Sequence, residues 1–197
     1  MKISVILGHP YKESFNNAIA ETVVKTLQQN NHEVFYHDLY QEKFDPVMTG
    51  YELINKVSED KLVEKHCQEI VEADGIIIVH PNWWGQPPAI LTGWVDRVLR
   101  METAYIYRND GSGLPIGLLK AKAAIVFNTS NTIEEREEKV FGDPLETLWK
   151  NCIFDFCGVK EFKRNIFRII AISSPEQRKK WLTEVQETVN QYFPAEE

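Results

Sequence analysis

His80-Pro81-Asn82-Trp83-Trp84-Gly85-Gln86-Pro87-Pro88-Ala89-Ile90-Leu91-Thr92-Gly93-Trp94-Val95-Asp96-Arg97-Val98-Leu99 is the stretch whose reading decides the fold. Before it runs Asp74-Gly75-Ile76-Ile77-Ile78-Val79. Such an apolar, β-branched run fits a strand buried on both faces of a parallel sheet. After it, Pro87-Pro88 opens a segment with Ile90, Leu91, Trp94, Val95, Val98 and Leu99 at helical spacing. Proline suits a first helical turn, where its missing N–H is not needed. Pro81, Asn82, Trp83, Trp84, Gly85 and Gln86 therefore read as a loop leaving the carboxyl end of a central strand. Open α/β sheets bind ligands at that edge. Two indoles in a loop gain little near solvent unless something flat packs on them. The bland alternative is that Trp83 or Trp84 plugs the top of the core.

The bulk numbers fit one domain over residues 1–197, with 43% hydrophobic and 26% charged residues. A net charge of -7 argues against binding nucleic acid or an anionic membrane surface. No apolar run reaches the length of a membrane span, so no direct membrane insertion is expected. Met1 to Leu7 reads as a first strand rather than a signal peptide. The odd set Cys67, Cys152 and Cys157 has no metal-site spacing and fits reduced thiols in a cytoplasmic protein.

In chain order, Lys2 to Leu7 is strand one, and Ser14 caps a helix from about Phe15 to Gln29. Glu33 to Leu39 alternates into strand two. Tyr40 to Ser58 reads as a long connection, Glu59 to Ala73 as an amphipathic helix and Gly75 to Val79 as strand three. The helix after Pro88 ends near Met101, and a loop runs from Glu102 to Lys120. Lys122 to Asn128 is strand four, followed by polar Thr129 to Thr132. Glu134 to Lys139 reads as a solvated charge run. Asp143-Pro144 starts a helix to Cys157, with Gly158 as its stop; Lys160 to Ala171 is strand five and Pro175 to Tyr192 the last helix. This alternation predicts an α/β fold: a five-stranded parallel sheet, order 2-1-3-4-5, with helices on both faces.

The order reverses between strands one and three. Three segments should converge there: His9 to Asn16, Pro81 to Gln86, and Asn128, Thr129, Ser130 and Asn131. Ser14, Phe15 and Asn16 put a hydroxyl and free N–H groups at a helix N-terminus, which suits a phosphate. His9 stands close enough in sequence to touch one. Trp83 and Trp84 offer aromatic surface, and the last four offer donors for a polar heterocycle edge. Phosphate at one end and aromatics with polar donors at the other fit a flavin nucleotide better than a dinucleotide. The glycine-rich signatures of Rossmann NAD domains, P-loop NTPases and hydrolase elbows are missing from the chain. His80, beside Pro81, reads equally as a strand-end residue with a backbone partner.

These residues carry a family resemblance. His9 with Ser14-Phe15-Asn16, Pro81-x-x-Trp84, Pro88-Ala89-Ile90-Leu91-x-Gly93-Trp94, Ala104-Tyr105-x-Tyr107, Gly142-Asp143 and Phe156-Cys157-Gly158 follow one another along nearly the whole chain. Together they resemble the NAD(P)H:quinone oxidoreductases of the flavodoxin-like fold, which include the DT-diaphorase type, modulators of drug activity and ancillary oxidoreductases of potassium-efflux systems. The resemblance implies a non-covalent flavin, FAD or FMN, NAD(P)H as co-substrate, a quinone as acceptor, and a homodimer with two sites at its interface. It implies phosphate at Ser14, Phe15 and Asn16, isoalloxazine at Trp84 and its neighbours, and Tyr105 and Tyr107 roofing the substrate pocket. The chain departs from the DT-diaphorase pattern at Phe141 and Glu135, where that type has His and Tyr, and at Ser130-Asn131, where it has Gly-Gly. The competing readings are a flavodoxin-like electron carrier and a redox-sensing regulatory subunit of a membrane transport system.

Overall fold

The computed structural model describes residues 1–195. Five parallel strands form one sheet: β1 (Lys2–Leu7), β2 (Glu33–Asp38), β3 (Gly75–Pro81), β6 (Ala123–Ser130) and β7 (Glu161–Arg168), in the order β2-β1-β3-β6-β7. This is the expected order, with a separate antiparallel hairpin of β4 (Tyr105–Tyr107) and β5 (Pro115–Gly117) set aside. Alternate residues of β3 supply the two cores. Ile76 and Ile78 join the core under α3 (Lys61–Glu72) and α4 (Ala89–Val98), while Ile77 and Val79 join the one under α1 (Phe15–Gln29) and α7 (Pro175–Tyr192). Burial on both faces is why β3 reads as an unbroken apolar run.

Several expectations are corrected. Strand β3 runs through His80 and Pro81, which pair with Asn128 and Thr129 of β6; the prolines and tryptophans suggested a loop where the parallel ladder still holds. For the same reason Thr129 and Ser130 lie in β6 rather than in a loop. The long connection contains α2 (Gly50–Asn55), closed by a capping box in which Thr49 and Glu52 exchange side-chain bonds. That Thr-x-x-Glu signature is legible in the sequence. The expected loop of residues 102–120 holds the hairpin. Strand five stops at Arg168, where Ile169 turns left-handed (φ 56°) into a short 3-10 turn, Ile170–Ile172. The charge run is a helix, α5 (Glu134–Lys139), and α6 (Pro144–Glu146) continues as a π-helical segment, Thr147–Asp155.

Gly93 in mid-α4 explains itself. A Cβ there would overlap the carbonyl oxygen and Cα of Pro46. The backbone that approaches so closely belongs to the chain's own connection between β2 and α2. Gly93→Leu should therefore lower stability by roughly 1–3 kcal/mol through overpacking. Urea unfolding of the variant checks this, and an unchanged midpoint would place Pro46 elsewhere.

His80 is fully buried between two partners. The Trp149 indole N–H donates to its Nε2 at 3.0 Å, and its Nδ1 lies 2.8 Å from the Pro81 carbonyl. An indole only donates, so Nε2 is bare and the ring proton sits on Nδ1, donated to that carbonyl. This neutral ring ties the π-helical segment to the end of β3. Burial pulls the His80 pKa down to about 4, with the Pro81 bond opposing and Arg164 assisting. The unfolded chain takes up this proton near pH 6.5 and the folded chain only near pH 4. Stability from this group is thus complete above about pH 6.5 and is lost as pH falls toward 4, by about 3 kcal/mol in all. His80→Gln should flatten that part of the profile. Denaturant titrations at intervals from pH 7 to pH 4.5 on both proteins measure it.

Candidate functional site

Four strand ends meet at one cavity of about 210 Å³. The turn after β1 brings His9, Ser14, Phe15 and Asn16; the end of β3 brings Pro81, Asn82 and Trp83. The end of β6 adds Thr129, Ser130 and Asn131, and the turn after β7 adds Ile170. All three expected segments converge. Ser14 caps α1, its hydroxyl accepting from the Asn17 N–H at 3.2 Å. Helix geometry leaves the N–H groups of Phe15 and Asn16 without an intrahelical acceptor. Phe15 itself points its ring into the core, edge-on to Phe167 at 5.9 Å and against Trp181. Asn16 bridges two of the segments: its amide donates to Thr129 Oγ1 at 2.9 Å. Its carbonyl oxygen is buried with no partner among the described residues. His9 holds the same turn, its Nδ1 receiving the Tyr11 N–H at 3.1 Å, and burial lowers its pKa.

Trp83 and Gln86 exchange backbone hydrogen bonds at 3.0 and 3.1 Å around a two-residue turn. Trp84 and Gly85 at its tip both have positive φ, 59° and 76°, the pattern of a type I′ turn. Glycine is required at 85 twice over, because a Cβ would also stand 2.9 Å from the Pro144 ring. A tryptophan in the left-handed region costs about 1–2 kcal/mol, which the surrounding structure must over-determine. Trp84 is 98% exposed and Trp83 41%, so neither plugs the core.

Beyond the turn lies a wider cavity of about 620 Å³. Asn82, Trp84, Gly85, Thr132, Arg136, Phe141 and Pro144 line it, with the Arg136 guanidinium 5.2 Å from the centre of the Phe141 ring. The two cavities share Asn82 and together fall within the roughly 300–1,000 Å³ of a small-molecule site. Thr132, Arg136, Pro144 and Ile170 carry no signal in the sequence beyond standing near the loops that do. Asn128 lies behind the site: it is fully buried in β6, with neither amide atom paired among the described residues. Asn131 fastens the wall, accepting from the Ala171 N–H at 2.9 Å. Tyr105 and Tyr107 stand apart. Both rings pack edge-on to Phe156, and Tyr105 lines a different cavity, of about 400 Å³, with Leu53, Val95 and Leu99.

Tertiary structure also brings His66 against His37 and Glu42, which are near one another in sequence, making a group of three residues with metal-ligand chemistry. The Trp94 indole donates to His66 Nδ1 at 2.9 Å. That places the ring proton on Nε2, which faces Glu42 at 3.2 Å, so the nitrogen a metal would need is already protonated.

A family model described as a flavodoxin-like fold matches residues 1–193, and the chain belongs to that family. It is an oxidoreductase, the class for which its relatives are named. An "uncharacterized NAD(P)H oxidoreductase" of Haemophilus influenzae is 33% identical over 181 residues, covering 89% of this chain and 87% of that protein. The ribosyldihydronicotinamide dehydrogenase (quinone) of Rattus norvegicus is 30% identical over 202 residues, covering 90% and 86%. Among solved structures, Smu.1420 from Streptococcus mutans superposes with a TM-score of 0.82 at 31% identity, covering 97% of this chain and 100% of that one.

Asn16→Asp sets a carboxylate against the helix end where an anion would bind. With FMN or FAD as titrant it should lose about tenfold or more in affinity, against little change for Lys12→Ala. Equal affinities would move the phosphate elsewhere.

Proposed function

We propose that the protein is a flavin-dependent NAD(P)H oxidoreductase that passes two electrons to a quinone or similar acceptor. The observation that carries this reading is the strand-end cavity, where a capped helix N-terminus, Asn16 and Trp83 line one space, with Trp84 in the adjoining cavity that shares Asn82. Ser14 and the free N–H groups of Phe15 and Asn16 would hold the phosphate. Trp84 and Gly85 would border the ring system, and Thr129, Ser130 and Asn131 its polar edge. When bound, the flavin supplies the hydride acceptor and donor; the protein orients it and tunes it electrostatically. Phe141 has no titratable group, and Glu135 is exposed and paired with Lys139 at 3.1 Å, so neither holds a proton in a sheltered place. The relatives named for NAD(P)H and quinone agree with the reading.

The same reading makes the working unit a homodimer. Val47, Tyr51, Leu53, Ile54 and Val57 are exposed around α2, and Tyr107, Leu114 and Ile116 on the hairpin. So much apolar surface on neighbouring segments suits a covered face better than water. A second copy there would let Tyr105 and Tyr107 roof the partner's pocket, as they have no access to their own.

Adding FMN or FAD to the apo protein should quench flavin fluorescence at micromolar protein, and NAD(P)H should then reduce menadione with ping-pong kinetics. Tyr107→Ala should raise KM for the quinone while leaving flavin affinity unchanged. No flavin binding by folded protein ends the reading. A fully active monomer in sedimentation velocity ends the dimer.

A further inference from the structure

The charge run Glu134 to Lys139 hides one residue that is not on the surface. Glu137 is fully buried, and its carboxylate has two partners from other segments. Oε1 accepts from the Asn82 side-chain amide at 2.9 Å, and Oε2 pairs with Arg168 at the end of β7. Asn82 in turn accepts the Gly85 N–H at 2.9 Å through Oδ1, and its own N–H donates to the Thr129 carbonyl at 2.7 Å. The amide orientation follows from its neighbours. A carboxylate only accepts and a backbone N–H only donates, so Nδ2 must face Glu137 and Oδ1 must face Gly85. A chain of bonds therefore runs from Arg168 through Glu137 and Asn82 to the tip of the Trp83-Trp84-Gly85-Gln86 turn.

That tip is where the backbone is least comfortable, with a tryptophan at φ 59° and its indole almost wholly in solvent. Among the described residues, none covers Trp84 to hold it there. The turn keeps its shape through its own two backbone bonds and the Asn82 bond. Glu137 also belongs to α5, the helix that carries Arg136 into the same cavity. We infer that Glu137 is a positioning residue: through Asn82 it clamps the strained Trp84 turn and locks both walls of the wider cavity, the turn and α5, into one unit. The inference rests on the flavin reading for its consequence, that a loosened turn holds the ring system less well. The clamp itself stands on the geometry alone.

Reversing the pair tests it. In Glu137→Gln, one amide must satisfy Arg168 and Asn82, both donors, so one bond is lost. In Asn82→Asp, two carboxylates face each other. In the double variant every bond returns with the polarity exchanged. The new amide at position 137 accepts from Arg168 and donates to the new carboxylate at position 82, which still accepts from Gly85. Hydrogen exchange at the Gly85 amide of the apo protein reads the clamp, and an FMN titration reads its consequence. Each single variant should exchange about tenfold faster at Gly85 and bind FMN about tenfold more weakly, and the double should recover to within about threefold of wild type. Thermal unfolding of all four proteins separates a loosened turn from a failed fold. Equal exchange in all four, or a double variant as loose as the singles, overturns the clamp. Restored exchange without restored FMN binding overturns its role in the site. A wild type that binds no FMN defeats the flavin reading, and the exchange pattern then decides the clamp by itself.

Discussion

Parallel pairing is the constraint on which this molecule depends. Strands β1, β3 and β6 all run the same way, so their carboxyl ends gather at one edge and every connection must cross back over a face. The crossings bring helices to both faces and bury β3 and β6 completely. The edge is left to the loops, which are free of the demands of packing. Four of them meet there because the strand order reverses at β1 and β3, and a reversal leaves a crevice that no crossover fills.

Burying the central strands creates a difficulty that the chain meets with indole-imidazole pairs. His80 and His66 lie inside the α3/α4 side of the fold, and each accepts a bond from a tryptophan, Trp149 and Trp94. The pairs use opposite ring nitrogens, so they fix opposite tautomers. One sends its proton to the Pro81 carbonyl at the site's edge; the other faces Glu42. In both, burial holds the ring below its usual pKa. Neither histidine reaches the cavity, yet His80 joins the strand that ends in the Trp84 turn to the π-helical segment behind it.

Much of this was legible in the residues. The apolar run 74–79 marked a central strand because both of its faces are buried, and the switch to helical spacing after Pro88 marked α4. Ser14 marked a capped helix by its side-chain chemistry. From these the topology and the three converging loops followed, and the motifs from His9 to Gly158 pointed to the family. Boundaries were less legible. Proline and tryptophan suggested a loop at 81, where the ladder to β6 still holds. The run 134–139 looked solvated because every one of its side chains is charged, which leaves no apolar spacing to mark a buried face.

Sequence alone therefore determined the parallel α/β order, the edge at which the site lies and the chemical kinds of residue brought to it. Those follow from periodicity and capping, which act over a few neighbours. Only the tertiary structure decided which of those residues face the cavity. Asn16 and Asn128 are both asparagines in segments expected to converge, but one lines the cavity and the other is sealed behind it. Asn16 stands in the first turn of α1 at the sheet edge, whereas Asn128 is still inside the ladder, paired with His80 of β3. Glu137 was equally hidden in a run of like residues. Its burial depends on Asn82 and Arg168, which lie 55 and 31 positions away and meet it only when the chain has folded.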